Sequence, residues 1–319
     1  MNSNRDILVH ATAAGNQLRC MAAVTTGLVG EACRRHGTFP TASVALGRTL
    51  TGGLLLGGSV KDLEKITVHF DCDGPIGDII AQADANGNVR GYVSNPEADA
   101  TEANSMGKFD VRSVVGSGTM YVIRDAGFEI GLMKEPYRGS VPIVSGEISE
   151  DFAYYLSKSE QIDSAVSIGV YMTIDRNGAS WDDGVKAEFS ADRLQVAAAG
   201  GYIIQVMPSA GEEIRGYLER RIPLAPHSTE MVREGMTALE MIRRALGDVD
   251  LTLLEKVEPR FHCPCSKERA LLIISALGRA EIEDMLKKDN GAELICHFCN
   301  ARYQVSGEEL TMLLSETTD

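Results

Sequence analysis

The chain has 319 residues, of which 44% are hydrophobic and 24% charged, and it carries a formal charge of −14. At roughly 100–200 residues per domain, that length suggests about two domains with a sizeable core. A global negative field repels phosphate backbones and anionic lipid surfaces, so neither nucleic acid nor a membrane is expected as a partner.

Residues 1–16 contain no apolar signal core, which leads us to expect a cytoplasmic rather than a secreted protein. Asp6 to Thr12 is a strand candidate, and Gly15-Asn16 turns the chain into a second strand. Thr25 or Thr26 is placed to cap a helix with Leu28, Val29, Ala32 and Cys33 on its apolar side, stopped by Gly37. The apolar run from Thr41 to Ser59 is interrupted by Arg48 and five glycines, one pair of which (Gly53, Gly57) has GxxxG spacing. Those interruptions argue for a buried helix packed closely under a sheet rather than a membrane span.

Strands are expected over 65–70, 78–83 and 88–93, with Asn86-Gly87 as the hairpin turn between the last two. Further strands are expected over 118–125, 166–175 and 196–207, with a helix over 150–161 whose inner face holds Phe152, Tyr155 and Leu156, and a turn at Asn177-Gly178. Residues 1–208 therefore read as a mixed α/β core domain.

The texture changes after Pro208. Residues 209–257 combine charged stretches, Pro223 and Pro226, and one amphipathic run from Ser228 to Gly247 with Val232, Met236, Leu239 and Leu246 in helical register. A segment of this kind has little core of its own and gains its helical stability by docking elsewhere. It reads as a helical, labile linker. Residues 258–319 read as a small metal-binding domain: a helix capped by Ser266 with Leu271, Ile274 and Leu277 inward, a second helix with Ile282, Met285 and Leu286, a hairpin over 294–305, and a last helix opened by a Ser306/Glu309 capping box. The expected class is α+β in three parts.

Of seven cysteines, Cys20, Cys33 and Cys72 are scattered in apolar or turn contexts and read as small core residues. The other four form Cys263-Pro-Cys265 and Cys296-His-Phe-Cys299. In a reducing compartment, clustered cysteines more often bind metal than form structural disulfides. Two pairs supply the four thiolates of a tetrahedral zinc site, with Zn–S of about 2.3 Å. The second pair has common knuckle spacing; the first is tighter, and a CxC pair is close enough for a strained, labile disulfide once metal leaves. A permanent structural zinc and a redox switch both fit this pattern. His262 and His297 adjoin ligands and are chemically able to replace one, although four cysteines already complete a tetrahedron.

Several motifs resemble a known family: Ala45-Leu-Gly-Arg-Thr-Leu, Asp73-Gly-Pro-Ile-Gly, Asn88-Val-Arg-Gly-Tyr-Val, Ala199 to Pro208, Phe261 to Arg269, and Cys296-His-Phe-Cys-Asn. Over nearly its whole length the chain resembles the redox-regulated 33 kDa heat-shock chaperones, the heat shock protein 33 family. That resemblance implies a zinc-bound, reduced, inactive form held by Cys263, Cys265, Cys296 and Cys299. It implies disulfides Cys263–Cys265 and Cys296–Cys299 on oxidation, release of zinc, and unfolding of the metal domain and linker. The unfolded form, often a homodimer, would hold unfolding client proteins without ATP. Val232, Met236, Leu239 and Met241 are candidate client contacts once undocked; packing on the core explains the same residues equally well.

No GxxxxGK[ST] cradle is present, and Gly107-Lys108 lacks its context. Gly116-Ser117-Gly118 does not fit a nucleophile elbow, and Asp71-Cys72-Asp73-Gly74 reads as a turn rather than a calcium loop. An enzyme is not expected. Two competing readings remain: a zinc-ribbon regulatory binding protein, which would want a basic, aromatic-bearing surface, and a thiol-disulfide oxidoreductase, which would want a single CxxC at a helix start.

Overall fold

The computed structural model describes residues 5–58, 64–100, 109–125, 136–174 and 194–316. The expected turn at Asn177-Gly178, and also Ser59, Gly107, Lys108 and Asp175, lie outside these. The chain divides into two compact units, Met1–Phe261 and His262–Asp319. Their mixed sheets and helices are of the expected α+β class.

The first unit opens with strands β1 (Ile7–Ala13) and β2 (Leu18–Val24), joined by a turn in which Ala14, Gly15 and Asn16 all have positive φ. Helix α1 (Thr26–His36) buries Leu28, Val29, Ala32 and Cys33 and stops at left-handed Gly37. The expected threonine cap is not made. Asp6 from the chain's start accepts from the Gly27 and Leu28 amides at 2.9 and 2.5 Å, while Thr25 pairs with Thr51 through their hydroxyls inside the core.

Helix α2 (Pro40–Gly57) buries every residue except Arg48. A helix apolar all round belongs inside a core, and α2 packs between two sheets. The first sheet has the order β10-β1-β2-β9-β8, with β8 (Ser164–Ile174), β9 (Leu194–Val206) and β10 (Leu251–Val257). The second has the order β11-β5-β4-β3-β6-β7, with β3 (Lys65–Cys72), β4 (Ile79–Asp84), β5 (Asn88–Val93), β6 (Gly118–Asp125), β7 (Tyr137–Pro142) and β11 (Arg260–Phe261). Helices α3 (Val111–Val115) and α4 (Ser149–Lys158) complete this core, with Phe152, Tyr155 and Leu156 inward as expected. The GxxxG pair serves sheet packing: a Cβ on Gly57 would stand 2.8 Å from that of Ala83, and one on Gly53 3.3 Å from that of Ala81, both in β4.

The first sheet is apolar on both faces. Leu8, Met21, Ala23, Ala199 and Ile203 face α2. Val9, Ala11, Leu18, Cys20, Ala22, Tyr202 and Ile204 face the other way, where the segment after Pro208 covers them. That segment contains α5 (Glu212–Arg221), a short 3-10 turn over Ile222–Leu224, α6 (Ser228–Arg233) and α7 (Ala238–Leu246). Its fold differs from the sequence expectation in two ways. The single helix expected from Ser228 is two, because Gly235 takes φ 83° and Thr237 restarts the helix in a capping box with Glu240. The segment is also not helical throughout, since residues 251–257 leave it as β10 and pair antiparallel with β1.

The second unit has α8 (Lys267–Ser275), α9 (Arg279–Asp289), β12 (Gly291–Ile295), β13 (Arg302–Ser306) and α10 (Gly307–Glu316). Ser266 caps α8, and Ser306 and Glu309 form the expected reciprocal cap of α10. Among the described residues its core cluster is Ile274, Ile282, Val305 and Leu310, with Ala270 and Cys299 also buried. Leu277, expected inward, is 51% exposed because α8 ends two residues before it.

Gly57→Val forces a branched side chain against β4, and overpacking of this kind costs about 2 kcal/mol. Urea denaturation of the variant should show a lower midpoint for the first unit.

Candidate metal centre

The four C-terminal cysteines converge. Cys263 and Cys265 bracket Pro264 between β11 and the capping Ser266; Cys296 and Cys299 lie in the turn between β12 and β13. The turn is a knuckle of backbone bonds. The Cys299 and Asn300 amides donate to the Cys296 carbonyl at 3.3 and 2.7 Å, and the Cys296 amide donates to the Ala301 carbonyl at 2.9 Å. Asn300 takes the left-handed conformation, φ 56°, that closes such a turn.

All four sulfur atoms lie within 4.8 Å of one another. Cys263 Sγ is 3.7 Å from Cys296 Sγ, and Cys265 Sγ is 3.2 Å from Cys299 Sγ. Ligands around a tetrahedral zinc at about 2.3 Å stand about 3.8 Å apart, so the cluster is already close to coordination dimensions. Four soft sulfur donors are the set that zinc accepts and that hard cations refuse. No other cluster of this kind occurs among the described residues, and His262 and His297, both exposed, are outside it.

Electrostatics agree with a cation at this point. Burial is the main cause that pushes the Cys296 and Cys299 thiols above the ordinary thiol range; neighbouring sulfurs add to the rise at Cys299 and act in both directions at Cys296. Without a cation four thiolates cannot share this space; a bound divalent ion would reverse the sign by holding them deprotonated. Tyr303, on β13, donates its hydroxyl to Cys265 Sγ at 3.0 Å, and that hydrogen bond is the main cause that raises its phenol above the ordinary tyrosine value. Such a donor fixes the orientation of a ligating sulfur and moderates its charge. Sequence reading missed Tyr303; its signal was a hydroxyl-bearing aromatic four residues beyond Cys299 on the strand leaving the knuckle.

The remaining cysteines are core residues. Burial raises the Cys20 thiol to about 12 and the Cys72 thiol to about 12, the latter helped by Asp78, and it raises Cys33 as well. Thiols held protonated in this way are poor nucleophiles. Asp73 accepts from the Ser117 amide at 2.6 Å, so the Asp71–Gly74 stretch braces a loop. Of the four candidate client contacts, Val232 and Met241 are buried against the first sheet, Met236 packs beside them, and Leu239 is half-buried.

Fold and centre together define a two-unit α+β protein with a small C-terminal unit built around a four-thiol metal-binding cluster. The Hsp33 protein family model matches residues 6–306. The chain is 43% identical to the 33 kDa chaperonin of Bacillus subtilis (strain 168) over 314 residues, covering 98% of this chain and 99% of that one. It is 44% identical to the 33 kDa chaperonin of Shouchella clausii (strain KSM-K16) over 313 residues, 98% of each. The crystal structure of a 33 kDa chaperonin from Thermotoga maritima superposes with a TM-score of 0.83 at 33% identity, covering 98% of both chains. The chain belongs to the Hsp33 family.

Replacing Cys296 with Ser removes a soft ligand, and zinc affinity should fall by several orders of magnitude in competition with a chromophoric chelator. Tyr303→Phe keeps all four ligands and should weaken binding by about tenfold in the same assay.

Proposed function

We propose that this chain is a redox-regulated, ATP-independent holdase chaperone: a binding protein without turnover, acting in the cytoplasm on unfolding client proteins. Family membership supports the chaperone role. The observation that carries the switch is the coincidence of a four-thiol cluster with a unit too small to stand alone. Among the described residues of His262–Asp319 the buried apolar side chains are few: the cluster of Ile274, Ile282, Val305 and Leu310, with Ala270 and Cys299 besides. Bound zinc would neutralise the thiolates and staple the arms, a contribution on the order of 10 kcal/mol in finger peptides.

In the reduced form the four cysteines hold the metal and the unit stays folded. Oxidation joins Cys263 to Cys265 and Cys296 to Cys299. As each S–S bond forms, its two sulfurs surrender two electrons to an oxidant such as hydrogen peroxide, whose O–O bond breaks and which takes up two protons and leaves as two water molecules. The pairing within each arm, rather than across the closer sulfurs in the folded cluster, is what the family resemblance implies, and chain connectivity is compatible with it. Once the arms part, CxC and CxxC partners remain neighbours, whereas partners on opposite arms are separated by residues 266–295. Loss of four ligands releases the metal, and the unit loses its fold.

The consequence for clients lies in the linker. Helices α5 to α7 cover an apolar sheet face bearing Val9, Ala11, Leu18, Ala22, Tyr202 and Ile204. Undocking exposes that face together with Val232, Met236, Leu239 and Met241, and an apolar surface of this extent binds unfolded segments or a second copy of the chain. Among the described residues, no helix is long and apolar enough to cross a membrane.

Peroxide with mild heat should release one zinc per chain. In parallel it should switch on suppression of aggregation of an unrelated, thermally unfolding protein without nucleotide. Equal suppression by the reduced and oxidised forms would defeat the switch, and no suppression by either would defeat the chaperone reading.

A further inference from the structure

Between the linker and the first metal-binding arm the chain makes a short contact assembled from three elements. Strand β10 ends at Val257 on the edge of the first sheet. Arg260 and Phe261 then cross to the second sheet and pair in parallel with Asn88 and Val89 of β5. The Arg260 amide donates to the Gly87 carbonyl at 3.0 Å, and its Nε donates to Asn88 Oδ1 at 2.8 Å. Phe261 packs on the main core and lies under the Arg35 guanidinium of α1, 5.4 Å from Cζ to the ring centroid. Arg35 is itself held by Glu31 at 2.7 Å.

The seat for this contact is shaped by the hairpin turn between β4 and β5. Gly87 has φ 76°, and a Cβ there would stand 2.8 Å from Val257 Cγ1 and 3.2 Å from the Pro259 Cα. The turn therefore presents bare backbone to the crossing chain, and any side chain in its place would push the crossing away.

We infer that β11 is a latch: it holds the C-terminal end of the linker on the core while the metal unit is folded, and its release transmits loss of the metal centre to the linker. This rests on the reading above in which the linker undocks. Only His262 separates Phe261 from Cys263, so disorder in the metal unit begins one residue from the clasp. A disordered chain grafted at that point gains entropy for each residue the clasp gives up. The clasp is two residues long, with one ring contact, and the next element back is an edge strand paired on a single side, its Leu254 63% exposed. Release therefore runs backwards, from β11 to β10 and then to α7. While β11 holds, the linker is insulated from small fluctuations in the metal unit.

The test uses full-length, reduced, zinc-loaded protein. Phe261→Ala removes the ring, Phe261→Tyr retains it, and Arg35→Met removes the cation from a residue remote in sequence from the cysteines. Amide hydrogen exchange of residues 251–257 should accelerate by about tenfold in Phe261→Ala, while exchange in β3 and β4 is unchanged. Phe261→Tyr should match wild type, Arg35→Met should also accelerate β10, and the two accelerated variants should suppress aggregation partially without oxidant. Zinc content is measured alongside; if Phe261→Ala loses metal, Arg35→Met decides. Wild-type exchange in β10 of a zinc-loaded variant that lacks the ring or the cation overturns the latch. Accelerated exchange with wild-type protein inactive in both redox forms supports the latch and refutes the chaperone reading instead.

Discussion

The first sheet cannot stand with either face bare, and most of the architecture answers that constraint. Strand β2 buries all but Arg19, so its side chains need cover above and below. The upper cover is permanent: α2 is apolar around its whole circumference and is sealed by a second sheet. The lower cover is of a different kind. Helix α5 carries one buried residue, Leu218, and α6 is only six residues long, so neither would hold its helix in isolation. They are folded because they are docked. An apolar sheet face has thus been closed by short helices whose folding is coupled to their docking, α7 contributing most of the contact through Ala238, Met241, Ile242, Ala245 and Leu246.

The second unit solves its own shortage by chemistry. A domain of this size buries too small a fraction of its surface for hydrophobic burial alone to be ample. On the proposed function, a metal held by the converging sulfurs would supply what its small core lacks, on condition that they remain reduced. On the proposed function this dependence is useful: a covalent change in four side chains removes the largest stabilising contribution in the unit, while the α2 core, with no reactive thiol, is untouched. Cys20, Cys33 and Cys72 are pushed toward the protonated form by burial and lie apart from the cluster.

How much of this was legible from sequence depended on whether the cause was local. The Cys263–Cys299 cluster, the capping box at Ser306 and Glu309, and the Asn86-Gly87 hairpin are written in adjacent residues and were readable. So was α2, whose glycines at sheet-facing positions mark close approach. The break between α6 and α7 was written there too, in Gly235 and the Thr237–Glu240 pair, but the apolar register running across it argued for one helix. Strand β10 was missed because an edge strand with five exposed residues shows no burial alternation. Strand β7 was missed because Gly139 and Pro142 read as loop, although an edge position tolerates both. The Asp6 cap joins residues 21 and 22 positions apart that only tertiary folding brings together, whereas Tyr303, whose bond partner Cys265 is 38 positions away, left the one local trace of lying just beyond the Cys299 knuckle.

These differences bear on function, because the missed strand β10 lies at the end of the linker. Reading residues 209–257 as free-standing helices would make their release a matter of weak docking alone. With β10 in the first sheet and β11 in the second, the linker instead ends in two strand pairings placed in series, and helix undocking cannot begin from the C-terminal side until both have parted. Helix docking sets how much apolar surface is gained on release; strand pairing sets when release starts. A chain with only the first property would leak binding surface in its resting form, and one with only the second would open onto little. On the proposed function and the inferred latch, a chemically local event at the four cysteines would act first on the element nearest to it in the chain and reach the apolar face last.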